Sequence, residues 1–255
     1  MHMTSDSPTP TAAVLIIGNE ILSGRTQDVN LNHIAGKLSQ RGIRLAEARV
    51  VPDIEDEIVA AVRALSARYS YVFTTGGIGP THDDITAQSI AKAFDRPLIV
   101  NPEARARLER HYGAGKVSPG RMLMARAPEG AVLVDNPVSA APGFRIENVF
   151  VMAGVPAIMR AMIDHIAPTL AGGPVVLARS VSCLIGESVF AEQLGAIQLA
   201  HPDVDIGSYP WFRSGKFGVS LVARGTDAAV LDTVIAEISA MIRALGGEPV
   251  LEDAG

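Results

Sequence analysis

The feature that most constrains this chain is a run of six apolar residues, AAVLII at 12–17, with helical spacing directly after it. A strand without a polar position has no face for water, so it belongs inside a sheet covered on both sides. Leu31, Ile34, Ala35 and Leu38 then share one face of a helix, and Gly42 is placed to stop it. The same alternation repeats twice. A strand over 43–51 precedes a helix marked by Ile54, Ile58, Val62 and Leu65, with Asp53 in position to cap it. A strand over 71–75 runs into glycines and a helix over 86–94. This βαβαβα order predicts a parallel sheet with right-handed crossovers and helices on both faces.

Residues 97–145 are less regular, with short helices expected over 105–112 and 121–126 and a strand over 131–134. A strand over 149–152 and a helix lined by Ile158, Met159, Met162, Ile163 and Ile166 complete the main domain, 12–170. The stretch 168–174, with Gly172 and Gly173, reads as a linker. Beyond it come a strand (175–182), a helix (186–198), two strands (204–209 and 216–223) and a last helix (227–245). Pro210 to Gly215 would form the hairpin loop. This βαββα unit, within 174–250, predicts a small α+β domain, and residues 1–11 a disordered lead-in.

Charge and cysteine content narrow the partners. Lys and Arg number 22 against 27 Asp and Glu, a net charge of −5, so no basic field exists for nucleic acid. One cysteine, Cys183, allows neither a disulfide framework nor a cysteine metal cluster and suits a reducing cytoplasm. No apolar run is long enough to span a membrane, and the first ten residues lack the apolar core of a signal peptide. A soluble, cytoplasmic protein without membrane partners is expected.

Ligands of open α/β sheets bind outside the carboxyl ends of the strands. Three loops leave strands there: GNEILSG (18–24), VPD (51–53) and TTGGIGPTHDDIT (74–86). The third fails the dinucleotide fingerprint, because His82 stands where glycine is needed. The first fails the Walker pattern in spacing and has Arg25 in place of lysine. Their physics still suits an anion. Gly76, Gly77 and Gly79 let backbone N–H groups approach a phosphate, and the helix that follows favours negative charge. Asp83 and Asp84 would repel that phosphate unless a divalent cation such as Mg²⁺ lay between them.

TTGGIGP at 74–80 followed by DIT at 84–86 resembles the signature of the molybdenum-cofactor biosynthesis (MoaB/Mog) domain family. The variant with His82, Asp83 and Asp84 is closest to the N-terminal domain of CinA-type competence/damage-inducible proteins. Support comes from GNEILSG at 18–24, NP at 136–137, APGF at 141–144 and AGVP at 153–156; in the second domain, IGE at 185–187 and GSYP at 207–210 resemble that branch. The resemblance implies an αβα sandwich with a mostly parallel, doubly wound sheet that binds a pterin or nucleotide. Mog-type members attach AMP to molybdopterin. CinA-type domains resemble divalent-metal-dependent pyrophosphatases acting on ADP-ribose or a related dinucleotide. Asp53 and Asp84 match the two aspartates of the Mog pattern, whereas Asp83 stands where those members have a basic residue. That departure favours metal-assisted diphosphate hydrolysis over adenylyl transfer. The deamidase domain of longer CinA proteins is not expected within this sequence.

The candidate site follows. Asp84 and Asp53 are the catalytic candidates, and Asp83 and Asp84 the metal ligands; a helix N-cap is the competing role for Asp84 and for Asp53. Asn19 and Glu20 suit ribose hydroxyls or metal. Gly76, Gly77, Gly79, Pro80 and Thr86 make the phosphate loop. Pro142 and Gly143 would wall the ligand, and the helix start marked by Gly154 and Pro156 would offer its free backbone N–H groups to a second phosphate. His82 is a weaker candidate, and Trp211 and Phe212 an oligomer or domain contact. The alternatives are a non-catalytic molybdopterin or nucleotide binder and a molybdopterin adenylyltransferase. Analogy suggests a dimer or trimer.

Overall fold

β1 (Thr11–Ile17) carries the sheet's two cores on alternate side chains. Ala13, Leu15 and Ile17 point into one apolar cluster, Ala12, Val14 and Ile16 into the other. All six are at most 3% exposed, as a central parallel strand requires. The computed structural model describes residues 9–213 and 215–252. The disordered lead-in expected over 1–11 lies outside the described residues for 1–8, and Thr11 already belongs to β1.

After β1 come α1 (Asn19–Leu22), α2 (Asn30–Ser39), β2 (Arg44–Val51), α3 (Glu55–Arg68), β3 (Tyr71–Thr75) and α4 (Thr86–Ala93). Then follow β4 (Leu98–Val100), α5 (Pro102–Tyr112), α6 (Pro119–Leu123), β5 (Arg126–Pro128), β6 (Val132–Val134), β7 (Gly143–Ile146), β8 (Val149–Met152) and α7 (Pro156–Ile166). The main sheet has the order β2-β1-β3-β8-β7-β6. Its first four strands are parallel, and β7 and β6 add an antiparallel edge. Helices α3 and α4 fill one face through Ile58, Val62, Leu65 and Ile90. The other face is covered by α2 and α7 through Ile34, Leu38, Met159 and Ile163. This is the mostly parallel αβα sandwich that the apolar alternation predicts.

The chain divides after Pro174 into two compact units. The second contains β9 (Leu177–Cys183), α8 (Glu187–Ala200), β10 (Asp205–Arg213), β11 (Lys216–Gly225), α9 (Ala228–Ala244) and β12 (Val250–Glu252). Its antiparallel sheet runs β10-β11-β9-β12, with its own core around Phe190, Val219, Leu221, Val234 and Ile238.

Several local expectations are corrected. The hairpin loop expected over Pro210 to Gly215 is shorter: Pro210, Trp211, Phe212 and Arg213 continue β10 and pair with Val219, Gly218, Phe217 and Lys216, and Gly215 lies in the turn. Proline is tolerated because β10 is an edge strand. Helix α5 starts at Pro102, where Asn101 Oδ1 accepts the N–H groups of Glu103 and Ala104. Helix α6 ends at Leu123, so Arg126 belongs to β5 instead. The small unit gains a last strand, β12, which the βαββα reading lacks.

Candidate active site

The carboxyl ends of β2, β1, β3 and β8 lie side by side, and their loops are stitched together. Gly18 N–H donates to Val51 O at 3.2 Å, and Gly76 N–H to Met152 O at 3.2 Å. Asn19 N–H donates to Asp53 Oδ2 at 2.9 Å. Asp53 therefore fastens the β1 loop and does not cap α3, whose N-cap, Ile54, has no side-chain hydrogen bond.

The glycine loop is held in a shape that only glycine adopts readily. Gly76 and Gly77 have φ of 101° and 67°, where a Cβ is strained. A Cβ at Gly76 would sit 2.1 Å from Ile17 O, and one at Gly77 would sit 2.1 Å from Thr86 Oγ1. Thr86, the first residue of α4, locks the turn: its hydroxyl donates to Gly76 O at 2.9 Å and its N–H to Gly77 O at 3.0 Å. Among the described residues, the N–H groups of Gly77, Ile78 and Gly79 have no acceptor. They form a short row of donors ahead of α4.

Asp84 closes the far end of this loop. Its Oδ2 accepts the Thr81 N–H at 2.8 Å and the Thr81 hydroxyl at 2.5 Å. The N-cap of α4 is Ile85, so Asp84 is not the cap. Asp83 is exposed. Its carboxyl is held below the usual carboxylate range, first by the polarity of the neighbouring Thr81 hydroxyl, then by its own N–H and by any positive charge on His82. The Thr81 hydroxyl has one proton, and its geometry gives that proton to Asp84.

Residues 13–172 match the family model described as "Probable molybdopterin binding domain". The chain belongs to the molybdenum-cofactor biosynthesis (MoaB/Mog) domain family. Residues 175–246 match the model described as the middle domain of FAD synthase. A protein of Archaeoglobus fulgidus is 36% identical over 198 residues, covering 77% of this chain and 84% of its own length. A CinA-like protein of Desulfosudis oleivorans is 32% identical over 257 residues, covering 96% of this chain. The match spans only 62% of that relative's length. The solved CinA structure from Thermoplasma acidophilum superimposes with a TM-score of 0.60 at 34% identity, over 64% of this chain and 99% of that one.

Within this MoaB/Mog domain only part of the expected site residues border a cleft, and they divide between two. One, about 70 Å³, is bordered by Glu20, Asn30, Gly76, Gly154 and Pro156. The other, about 20 Å³, is bordered by Gly79, Asp84, Arg126, Pro142 and Phe144. Asn19 and Asp53 bond each other and border neither cleft. Gly77 and the buried Thr86 form the lock, Pro80 is exposed, and Gly143 lies inside β7 paired with Val134.

Two site residues escaped the sequence reading. Arg126 lines the Asp84 cleft; in sequence it looks like the end of a short helix, whereas it opens β5. Asn30 lines the other cleft; its signal is a polar residue opening an otherwise apolar helix face. No group of three or more His, Cys, Asp or Glu able to hold a metal occurs among the described residues. In the second unit, a cleft of about 640 Å³ is lined by Arg179, Ser180, Ser239, Arg243 and Leu251, none of them expected as site residues.

Proposed function

We propose that the MoaB/Mog domain hydrolyses the diphosphate linkage of a nucleotide, with a divalent cation, and that ADP-ribose is the first substrate to try. The observation that carries this reading is the row of acceptor-free N–H groups on Gly77, Ile78 and Gly79, set beside the Asp84 carboxylate. Backbone donors at the start of a helix suit phosphate oxygens, and the α4 dipole adds to them.

Asp83 and Asp84 offer the hard oxygen donors that Mg²⁺ prefers. Such an ion takes one or two carboxylates and completes its shell with water and substrate phosphates, so a three-ligand protein cluster is not required. When bound, it would neutralise phosphate charge and acidify an attacking water. The protein's own residues do the remaining work. The loop N–H groups orient the diphosphate, and Asp53 holds the β1 loop through Asn19. Arg126 supplies positive charge in the Asp84 cleft, where charge develops on phosphoryl oxygens. As water bonds to one phosphorus, the bridging oxygen leaves with the other; ADP-ribose yields AMP and ribose 5-phosphate.

Chromatography of ADP-ribose incubated with the chain and Mg²⁺, Mn²⁺ or Co²⁺ tests this reading. AMP and ribose 5-phosphate are expected, and EDTA should abolish them. Binding of nucleotide or molybdopterin with no product under any ion would instead support a non-catalytic binder. ATP-dependent adenylylation of molybdopterin would make the chain a transferase. Self-association as a dimer or trimer belongs to the same proposal and is checked by analytical ultracentrifugation.

A further inference from the structure

The cleft on the α2 side contains a polar defect. Asn30 is 5% exposed, and its Nδ2 donates to Gly154 O at 2.8 Å. Its Oδ1 is fully buried and has no hydrogen-bond partner among the described residues. A buried acceptor left unpaired is destabilising, and it calls for a donor from whatever enters the cleft. Glu20 and Asp28, both carboxylates, border the same space. Asp28 spends Oδ1 on the Leu31 N–H at 2.9 Å, while Glu20 stands exposed at the mouth. Two carboxylates and an orphan amide oxygen repel a phosphate and attract hydroxyl or amino hydrogens.

Size separates those two donors. The cleft measures about 70 Å³, well under the roughly 300 Å³ at which pockets begin to enclose a whole ligand. It admits the edge of a sugar and not a stacked base. Carboxylates paired with vicinal hydroxyls are a recurrent way to hold ribose. We infer that this cleft is a ribose subsite, in which Asn30 Oδ1 and Glu20 accept the vicinal hydroxyls of a ribosyl phosphate. Asn30 is thereby a specificity-determining residue for a sugar that bears a 2-hydroxyl. The inference rests on the proposed nucleotide substrate, and it adds the sugar as a second recognised group, held in the cleft that Gly76 and Asn30 both border.

The test uses the ¹⁵N-labelled full chain, with ribose 5-phosphate, 2-deoxyribose 5-phosphate and inorganic pyrophosphate as probes. Ribose 5-phosphate should shift the Asn30 side-chain NH₂ signals and the Gly154 amide. Pyrophosphate should shift only Gly77, Ile78 and Gly79. The deoxy sugar should bind about tenfold more weakly, the scale of one charge-assisted hydrogen bond. Glu20→Gln, at an exposed position, should cost a similar factor for ribose 5-phosphate and none for pyrophosphate. Unmoved Asn30 signals, or equal affinity for the two sugars, would overturn the subsite and leave a cleft holding water only. Asn30 shifts without ADP-ribose hydrolysis would sink the hydrolase reading alone; hydrolysis with silent Asn30 signals would sink this one alone.

Discussion

Thr86 donates its hydroxyl hydrogen to the carbonyl oxygen of Gly76 at 2.9 Å, from a side chain with no exposed surface. That bond ties the first turn of α4 to the end of β3 and holds the glycine loop in its left-handed shape. Thr86→Val keeps the volume and removes the donor. It should destabilise the domain by about 1–3 kcal/mol, the cost of a buried unsatisfied acceptor, read by urea denaturation. Thr86→Ser should recover most of the loss.

Gly77→Ala addresses the same turn from the other side. An alanine at φ 67° costs about 1–3 kcal/mol in backbone strain, and its Cβ would press on Thr86 Oγ1. Lower stability is expected, with weaker pyrophosphate binding by calorimetry. Unchanged binding would show that the loop's shape is irrelevant to the anion.

Asp84→Asn removes a charge and keeps an oxygen for Thr81. If Asp84 serves metal-assisted hydrolysis, turnover should fall by several powers of ten, on the order of 10³, while circular dichroism and thermal melting stay near normal. Normal turnover in the folded variant would take this residue out of the mechanism.

Glu47 and Tyr69 give the domain a pH signature apart from the site. The Tyr69 hydroxyl donates to Glu47 Oε2 at 2.6 Å, and Arg49 also bonds the Glu47 carboxylate. Arg49 first, then Tyr69, lowers the Glu47 pKa, while Glu47 raises that of Tyr69. The lowered carboxylate contributes stability above its ordinary value of about 4.3, lost as pH falls through the folded value. The raised phenol contributes below its ordinary value of about 10, lost as pH climbs through the folded one. Melting temperature should therefore be flat between these limits and drop on both sides. Glu47→Gln should flatten the acid limb, and an unchanged acid limb would place its cause elsewhere.

The glycine motif at 76–79 and the apolar runs were readable because each depends on neighbours within one turn or one strand. Side-chain choice was less readable. Asp53 and Asp84 both precede helices, the place where aspartate ordinarily caps. Yet Asp53 reaches Asn19, 34 positions earlier, and Asp84 reaches back to Thr81. The hairpin turns beyond Arg213 and not at Pro210, because β11 supplies strand partners up to Lys216.

The sequence by itself determined the αβα layering, the places where strands end in polar loops, and the anion-suited glycine turn. Those properties follow from the period of the apolar residues and from which residues tolerate left-handed backbone. Only the tertiary structure decided that Arg126 joins Asp84 in one cleft and that Asn30 meets Gly154 in another. Asn30 and Gly154 are 124 positions apart, and their meeting depends on the strand order β2-β1-β3-β8. Strand order comes from how whole elements bury one another, which no local spacing encodes.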